Sequence, residues 1–312
     1  MKLSVFADIY KMKKLDATLS IMKKLGINTL EMGAGGYSGK DHCDPALLLT
    51  DNNAFYKFRE SFNKYDIDIC ALSVHGNPVH PDKDVAKVFD TDFKNAVLLA
   101  ERLEIDTVVT FSGCPGDHEG AKYPNWVSCP WPDDYRKILD WQWNEVLLPY
   151  WYEAAAFARE HGVTRVALEM HPGFCVYNPE TMLRIRNEVG DVLGANLDPS
   201  HLIWQGIDPV AAIRTLKGAI YHVHAKDVAI DKYNTAVNGV LDAKEYSNAA
   251  DRSFIFRTAG YGQGESAWRD IISALAMYGY DRAVSIEQED SLIPEDEGLK
   301  KAVEFLRPLI IA

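Results

Sequence analysis

The stretch FAREHGVTRVALEM, residues 157–170, contains the pattern that decides the fold. An amphipathic helix is followed by a glycine and then by a short apolar strand. Similar phrases occur at residues 21–33, 62–74, 98–112 and 274–287, two of them with the glycine. Glycine suits the left-handed position that ends many helices, and a strand that is apolar on both faces is typical of a parallel sheet covered by helices. The repeated unit therefore predicts a parallel α/β sheet.

Eight candidate strands can be counted along the chain. They lie at residues 3–8, 27–33, 67–74, 106–112, 163–169, 192–198, 219–225 and 282–287. A helix is expected after each of them, the last at residues 296–309. Eight such units in 312 residues match the size of a (β/α)8 TIM barrel, so we predict a single barrel domain over residues 1–312. A doubly wound open sheet is the alternative, and the lack of a G-x-G-x-x-G motif after the first strand argues against it.

Two segments are too long to be simple loops. Residues 112–132 are rich in glycine, proline and tryptophan, and residues 227–264 separate the seventh strand from its helix. Both are expected at the C-terminal face of the barrel, where long loops build active sites.

The composition excludes several classes of protein. The net charge is −12, and nucleic-acid binding depends on Lys and Arg meeting phosphates, so a nucleic-acid partner is not expected. No apolar run approaches the roughly 18 residues that a membrane helix needs, and the N-terminus does not resemble a signal peptide. The five cysteines include no C-x-x-C pair, which favours a reducing, cytoplasmic location over a disulfide framework.

Four of the predicted strands end in a side chain that binds metals well. These side chains are Glu169 in VALEM, Asp198 in LGANLD, His224 in IYHVH and Glu287 in AVSIE. The last four strands of a barrel are neighbours and their carboxyl ends meet at one face, so the four side chains should surround a single point. An acid at a strand end is also a common helix cap, which is the alternative for each residue alone. Three oxygen donors and one nitrogen donor suit a divalent metal, with Mn²⁺ preferred, Mg²⁺ and Co²⁺ also suitable, and Zn²⁺ left open.

A second histidine lies on the same strand as His224. His222 and His224 alternate, so they face the same side of the sheet. His224 is nearer the carboxyl end and is therefore the predicted ligand, whereas His222 is predicted to be a hydrogen-bonded core residue one layer below.

Five further residues are predicted to contact a substrate. They are His75, His171, His201, Lys226 and Arg257. Each follows a predicted strand or lies in a loop that should cover the barrel mouth. The alternatives are a solvated loop residue for Lys226, a histidine at a helix N-terminus without a catalytic role for His201, and a surface arginine for Arg257.

With these residues in place, the chain resembles the sugar phosphate isomerase/epimerase family of the xylose-isomerase-like TIM barrel superfamily. The matching phrases are GGYSGKDHCDP (35–45), SVHGNPVHP (73–81), ALEMHP (167–172), NLDPSHL (196–202), HVHAKD (222–227), FRTAGYGQG (256–264) and SIEQED (285–290). The resemblance implies that Glu169, Asp198, His224 and Glu287 bind a divalent metal. It also implies that Glu169 and Glu287 form an acid/base pair, as in ketose 3-epimerases, and that His201 and Arg257 contact substrate.

Two departures limit what the resemblance transfers. Ketose epimerases carry a further glutamate six residues after the first ligand, where this chain has Cys175, so their substrate is not carried over. The related endonucleases use additional histidines late in the chain, and this sequence has none after His224.

The predicted activity is that of a divalent-metal-dependent isomerase or epimerase acting on a sugar or keto-sugar derivative. A proton next to a carbonyl would be abstracted through a metal-stabilised enediolate. A lyase or dehydratase acting on a 3-oxo-sugar, 3-oxo-glycoside or inosose with the same metal site is the alternative, and a metal-dependent hydrolase or a non-catalytic sugar-binding barrel ranks below it. The lack of a Lys/Arg cluster favours a non-phosphorylated sugar as the small-molecule partner. The oligomeric state is left open, with a homo-oligomer among the possibilities.

Overall fold

Strands and helices alternate along nearly the whole chain, as the repeated sequence unit predicts. The computed structural model of the protein describes residues 1–311. The strands in this range are β1 (Lys2–Phe6), β2 (Thr29–Gly33), β3 (Asp68–Ser73), β4 (Thr107–Phe111), β5 (Arg165–Glu169), β6 (Leu193–Leu197), β7 (Ile220–Ala225), β8 (Asp227–Ile230), β9 (Phe254–Arg257) and β10 (Ala283–Ile286).

The helices lie between these strands. They are α1 (Leu15–Lys24), α2 (Pro45–Thr50), α3 (Asn52–Tyr65), α4 (Lys83–Leu103), α5 (Asp133–Trp141), α6 (Leu148–Glu160), α7 (Pro179–Val189), α8 (Pro199–Ile203), α9 (Pro209–Thr215), α10 (Lys232–Asn238), α11 (Glu265–Met277) and α12 (Glu295–Leu306). A π-helical segment, Gln142–Leu147, joins α5 to α6. Short 3-10 helices occur at Ala7–Tyr10, Gly36–Ser38, Ala249–Asp251 and Arg307–Leu309.

Eight parallel strands of residues 1–311 close into a barrel in the order β1-β10-β7-β6-β5-β4-β3-β2. Closure occurs at β1, where Val5 lies opposite Ile286 on one side and Leu30 on the other. The barrel strands coincide with the eight runs predicted from sequence, and their ends differ by no more than two residues. The predicted (β/α)8 barrel is therefore confirmed, and the doubly wound alternative is wrong.

The long segment after β7 contains a structure that the sequence analysis did not predict. Its strands β8 and β9 pair in an antiparallel ribbon, with Val228 opposite Phe256. The buried carboxylate of Asp227, at the start of β8, accepts hydrogen bonds from the backbone N–H groups of Gly260, Gly262 and Gln263 and from the Trp268 indole. One side chain thus ties the ribbon to the following loop and to α11.

In residues 1–311, no helix has both the length and the apolar character needed to cross a membrane.

Asp227→Ala should destabilise the fold strongly, because it leaves several buried N–H donors without an acceptor. We expect the free energy of unfolding, measured by urea denaturation, to fall by about 3–5 kcal/mol. Each orphaned donor costs roughly 1–3 kcal/mol, and water compensates part of the total. Asp231→Ala is the matched control, since Asp231 also accepts from two backbone N–H groups but is exposed at the start of α10. Its loss should be about 1 kcal/mol. Equal losses in the two variants would contradict this role for Asp227.

Candidate metal centre

The barrel brings the four predicted ligands together at its C-terminal end. Glu169 ends β5, Asp198 and Glu287 directly follow β6 and β10, and His224 lies near the end of β7. One ligand atom from each residue lies within 4.8 Å of the others. Glu169, Asp198 and His224 are buried, and the Glu287 side chain is 15% exposed. Three carboxylates and one imidazole therefore share a single buried point.

Several of these atoms converge without bonding to one another. His224 Nδ1 lies 3.0 Å from Glu287 Oε2 and 3.3 Å from Glu169 Oε2. Yet His224 Nδ1, Glu287 Oε2 and Asp198 Oδ2 are all buried and have no hydrogen-bond partner among residues 1–311. Buried polar atoms in proteins are normally paired. A group of orphaned donor atoms of this chemistry could hold a divalent cation.

Asp198 combines the two roles that the sequence left open. Its Oδ1 accepts from the backbone N–H of Ser200 at 2.8 Å and caps helix α8. Its second oxygen remains directed at the cluster, 3.4 Å from His201 Nε2. Burial raises the pKa of Asp198 to about 6. The carboxylate is thus both a helix cap and a candidate ligand.

The two glutamates carry negative charge at neutral pH. Burial alone would raise the pKa of Glu169, but the charge of His224 and the close imidazoles of His201 and His75 hold it well below its ordinary value. Burial is likewise outweighed at Glu287, whose pKa falls to about 2 beside Lys226 and His224. Both carboxylates can therefore act as ligands or as proton acceptors.

Glu31 on β2 is a residue of this centre that the sequence analysis missed. Its Oε1 lies 3.0 Å from His224 Nε2, and its Oε2 lies 2.8 Å from His222 Nε2. The Ser73 hydroxyl also donates to Oε1. His222 thus lies in the hydrogen-bonded layer below the candidate ligands, where it was predicted. The available signal for Glu31 was a charged residue inside the otherwise uncharged run TLEMG.

A cavity of about 560 Å³ lies beside the ligand cluster. Aromatic rings form much of its wall, among them Phe6, Phe111 and Phe256. Titratable side chains also line this wall, among them Glu169, Glu287, His75, His171, His201 and Lys226. Four of the five predicted substrate contacts therefore share a cavity with two of the predicted ligands.

The histidines of the cavity are held by short contacts. His75 Nε2 lies 2.8 Å from Glu169 Oε2, while its Nδ1 is 2.9 Å from the Ser38 hydroxyl. The His171 ring lies 4.0 Å from that of His201, and burial lowers the pKa of His171 to about 3, so its imidazole is neutral. His201 Nε2 lies 3.2 Å from Glu169 Oε1. Both nitrogens of His75 are thus engaged, whereas those of His201 have no hydrogen-bond partner within residues 1–311.

Lys226 is a buried cation in the same wall, only 4% exposed. Its Nζ lies 2.6 Å from Glu289 Oε2 and 3.4 Å from Glu287 Oε2, and 4.3 Å from the centre of the Phe256 ring. Burial opposes its charge, but Glu287 and Glu289 raise the pKa of Lys226 well above its ordinary value. Lys226 is therefore not a solvated loop residue.

Arg257 is placed differently from the other predicted contacts. Its Nε donates to Asp290 Oδ2 at 3.0 Å. Asp290 also accepts from the backbone N–H of Thr258. In the described part of the chain the cavity wall does not include Arg257, because this ion pair holds the guanidinium elsewhere.

Comparison with known proteins gives the class of the chain. A family model described as xylose isomerase-like TIM barrel matches residues 19–309. The chain belongs to this family, and the predicted resemblance is confirmed. YfiH of Bacillus subtilis strain 168, an uncharacterized protein, is 38% identical over 312 residues, which cover 99% of each chain.

Solved structures share the fold at lower identity. AsbF of Bacillus anthracis, a probable 3-DHS dehydratase, superposes with a TM-score of 0.69 at 17% identity, covering 98% of this chain and 99% of AsbF. The IolI protein, solved with a zinc atom, has a TM-score of 0.68 at 20% identity, covering 99% and 98% of the two chains. Ketose 3-epimerases are among the other structures with this fold.

Asp198→Ser should separate helix capping from metal binding, because serine caps helices well but removes the carboxylate. Outer partners of metal ligands contribute about 10–100-fold in affinity, so loss of a direct ligand should weaken Mn²⁺ binding by about 100-fold or more in calorimetric titration. Asp208→Ser is the matched control, since Asp208 caps α9, also precedes a proline and is exposed. Stoichiometric, tightly bound metal in Asp198→Ser would contradict the ligand assignment.

Proposed function

We propose that this protein is a divalent-metal-dependent isomerase or epimerase that moves a proton next to the carbonyl of a keto-sugar. The observation that carries the proposal is the convergence of Glu169, Asp198, His224 and Glu287, with orphaned buried atoms, beside a cavity that both glutamates line. Membership of the xylose isomerase-like family supports it. So does the sequence resemblance to sugar phosphate isomerases and epimerases.

The four ligands define what a bound ion would contribute. A divalent cation held by Glu169, Asp198, His224 and Glu287 would polarise the substrate carbonyl and stabilise the negative charge that develops when the neighbouring carbon loses its proton. Three oxygen donors and one imidazole suit Mn²⁺, and Mg²⁺, Co²⁺ or Zn²⁺ would also fit.

Glu169 and Glu287 are the acid/base pair in this proposal. Both carboxylates are ionised and both line the cavity. One can accept the carbon-bound proton and release it to water, while the other takes a proton from water and returns it to the substrate. Return to the same carbon gives epimerisation, and delivery to the neighbouring position gives isomerisation. Glu169 is held for this task by the Nδ2 group of Asn196, 3.0 Å from its Oε2, and by His75. A positioned acid/base group contributes roughly 10²–10⁴-fold to rate.

The remaining residues of the cavity would orient the sugar. His171 is neutral and His201 has both ring nitrogens without a hydrogen-bond partner within residues 1–311, so both can contact hydroxyl groups. The ammonium group of Lys226 can donate a hydrogen bond to an oxygen on the carbon that loses its proton. Arg257 donates to Asp290 through Nε and is not in the described cavity wall, so its contact with substrate stays a prediction.

The charge of the cavity favours an uncharged sugar. Asp8, Glu169, Glu287 and Glu289 contribute carboxylates to the wall, and the cation Lys226 already contacts two of them. Like charges facing each other across an interface cost several kcal/mol, so a phosphate group would be poorly accommodated. The buried Cys175 stands where ketose epimerases carry a further glutamate, and the particular ketose is therefore not carried over.

Elimination from the same carbanion is the second candidate. The unpaired nitrogens of His201 and the ammonium of Lys226 lie in the cavity wall, where either could deliver a proton to a departing substituent two carbons from the carbonyl carbon. A dehydratase or lyase acting on a 3-oxo-sugar, 3-oxo-glycoside or inosose would use the site in this way.

Turnover in D₂O tests the proton-transfer chemistry. With Mn²⁺ and a panel of keto-sugars, we expect a carbon-bound deuterium next to the carbonyl, detected by NMR. Glu169→Gln should reduce this exchange by about 10²–10⁴-fold, because it removes a proton acceptor. The exposed Glu188 on α7 provides the control Glu188→Gln, which should exchange at the wild-type rate.

The outcomes of this experiment separate the candidate functions. Exchange accompanied by release of a substituent would assign the lyase instead of the isomerase. Turnover without any deuterium bound to carbon would contradict proton transfer next to a carbonyl and would favour a hydrolase. Sugar binding with no turnover in any assay would indicate a non-catalytic barrel.

Activity on an uncharged keto-sugar should exceed that on its phosphate ester. We expect kcat/KM for the ester to be lower by about 10-fold or more, from like-charge repulsion at the cavity. Glu289→Gln removes the charge of the nearer partner of Lys226, so the difference in kcat/KM between the sugar and its ester should become smaller. Glu297→Gln, on the surface of α12, should leave that difference unchanged. A preference of the wild-type protein for the ester would contradict the charge argument.

A further inference from the structure

The buried carboxylate of Glu31 reaches across the interior of the barrel. Glu31 lies on β2, which is separated from β7 by β1 and β10 in the barrel order. Its two oxygens nevertheless contact His222 and His224 of β7, at 2.8 Å and 3.0 Å. A charged group buried this deeply requires partners to be tolerated. The two histidines of β7 are these partners, and one of them, His224, is a candidate metal ligand.

The cluster around Glu31 differs from the candidate metal centre in being fully paired. Ser73 donates to the same oxygen that contacts His224, so both Glu31 oxygens have hydrogen-bond donors. In the described residues 1–311, neither Glu31 nor His222 has an orphaned buried polar atom, whereas Asp198, His224 and Glu287 each have one. The Glu31 cluster is therefore a completed hydrogen-bond network.

The geometry at His224 assigns different tasks to its two nitrogens. A carboxylate accepts hydrogen bonds and does not donate them, so the nitrogen facing Glu31, Nε2, carries the proton. The other nitrogen, Nδ1, faces the metal centre, 3.3 Å from Glu169 Oε2 and 3.0 Å from Glu287 Oε2, and would offer its lone pair to an ion that displaced the proton held there. The ring is also stacked against Phe6, with centroids 5.9 Å apart and planes 16° apart. The contacts with Glu31 and Phe6 thus fix the orientation of the imidazole, and Glu31 holds a proton on Nε2.

Irregular strand pairing accompanies these contacts. The register of β2 against β3 shifts between Leu30 and Glu31, and that of β6 against β7 shifts between Ala195 and Asn196, the residue paired with His222. Such bulges re-aim side chains and are frequent next to active sites. Here the two shifts adjoin the two ends of the Glu31–His222 contact.

We propose that Glu31 is a positioning residue that holds His224 with Nε2 protonated and Nδ1 directed at the metal centre. Ser73 and His222 hold Glu31 in turn. The inference rests on the proposed metal-dependent function, because it assigns Nδ1 of His224 as a ligand atom. Carboxylates that orient metal-bound histidines in this way typically contribute about 10–100-fold to metal affinity.

Glu31→Gln tests the assignment through metal affinity instead of activity. The amide can no longer accept from both histidines and the Ser73 hydroxyl, so the Kd for Mn²⁺ in calorimetric titration should rise by about 10–100-fold. Asp290→Asn is the matched control: it also alters a buried, ion-paired carboxylate, but one that contacts Arg257 and the Thr258 backbone instead of His224. Its Kd should stay at the wild-type value.

The titration separates failure of this inference from failure of the proposed function. Tight binding by wild type with an unchanged Kd in folded Glu31→Gln would refute the positioning role alone. Absence of binding by wild type for Mn²⁺, Mg²⁺, Co²⁺ and Zn²⁺ would refute the metal centre and the role together. Two bound equivalents, with one lost in Glu31→Gln, would make Glu31 a ligand and overturn the proposal.

A measurement on the wild-type protein decides the matter if Glu31→Gln does not fold. Long-range ¹H–¹⁵N correlation spectra of the Zn²⁺-loaded protein report which imidazole nitrogen is protonated. We expect His224 to show a protonated Nε2 and a coordinated Nδ1. The reverse assignment would overturn the proposal.

Discussion

Repulsion among three buried carboxylates is the constraint on which the rest of this centre depends. Glu169, Asp198 and Glu287 lie together at the carboxyl ends of their strands with little access to water. Such a group is tolerated only when compensating charge is close. Within the chain His224 and Lys226 supply part of it, and both have raised pKa values against the opposing effect of burial. The atoms left unpaired at the centre are those that an added divalent charge would satisfy.

Barrel closure makes this concentration of charge possible. Each carboxylate comes from a different strand, and parallel strands of a barrel deliver their carboxyl ends to one face. The interior layer below is polar as well, since Glu31 and His222 meet there and Ser285 lies buried on β10. Well-packed apolar side chains in place of a buried charged network often leave a protein equally or more stable. The network below the candidate ligands therefore has a function beyond packing, which is to orient them.

The strands and the candidate ligands could be predicted from sequence because both depend on local pattern. An apolar run ended by an acid or histidine is visible without knowledge of any partner, and Asp198 and His224 show this. Glu31 could not be found in the same way, because its role depends on His222 and His224, about 190 positions along the chain. Arg257 was predicted to bind substrate from its glycine-rich surroundings, whereas its place in the structure depends on Asp290, 33 residues further on. The β8–β9 ribbon likewise depends on pairing between two strands that are far apart in the sequence, β8 ending at Ile230 and β9 beginning at Phe254.

The phrase HVHAKD, residues 222–227, shows how strand alternation divides the work of the site. His222 and His224 face the same side of β7, where His222 contacts Glu31 and His224 joins the candidate ligands. Lys226 directly follows the strand and lies in the cavity wall. Asp227 has the opposite parity and instead anchors the loop that begins at Gly260 and the indole of Trp268. A shift of one residue in β7 would turn His222 and His224 away from the barrel interior and bring Val223 and Ala225 into their places. The register of β7 therefore determines both the candidate metal ligand His224 and the histidine that pairs with Glu31 in the layer below.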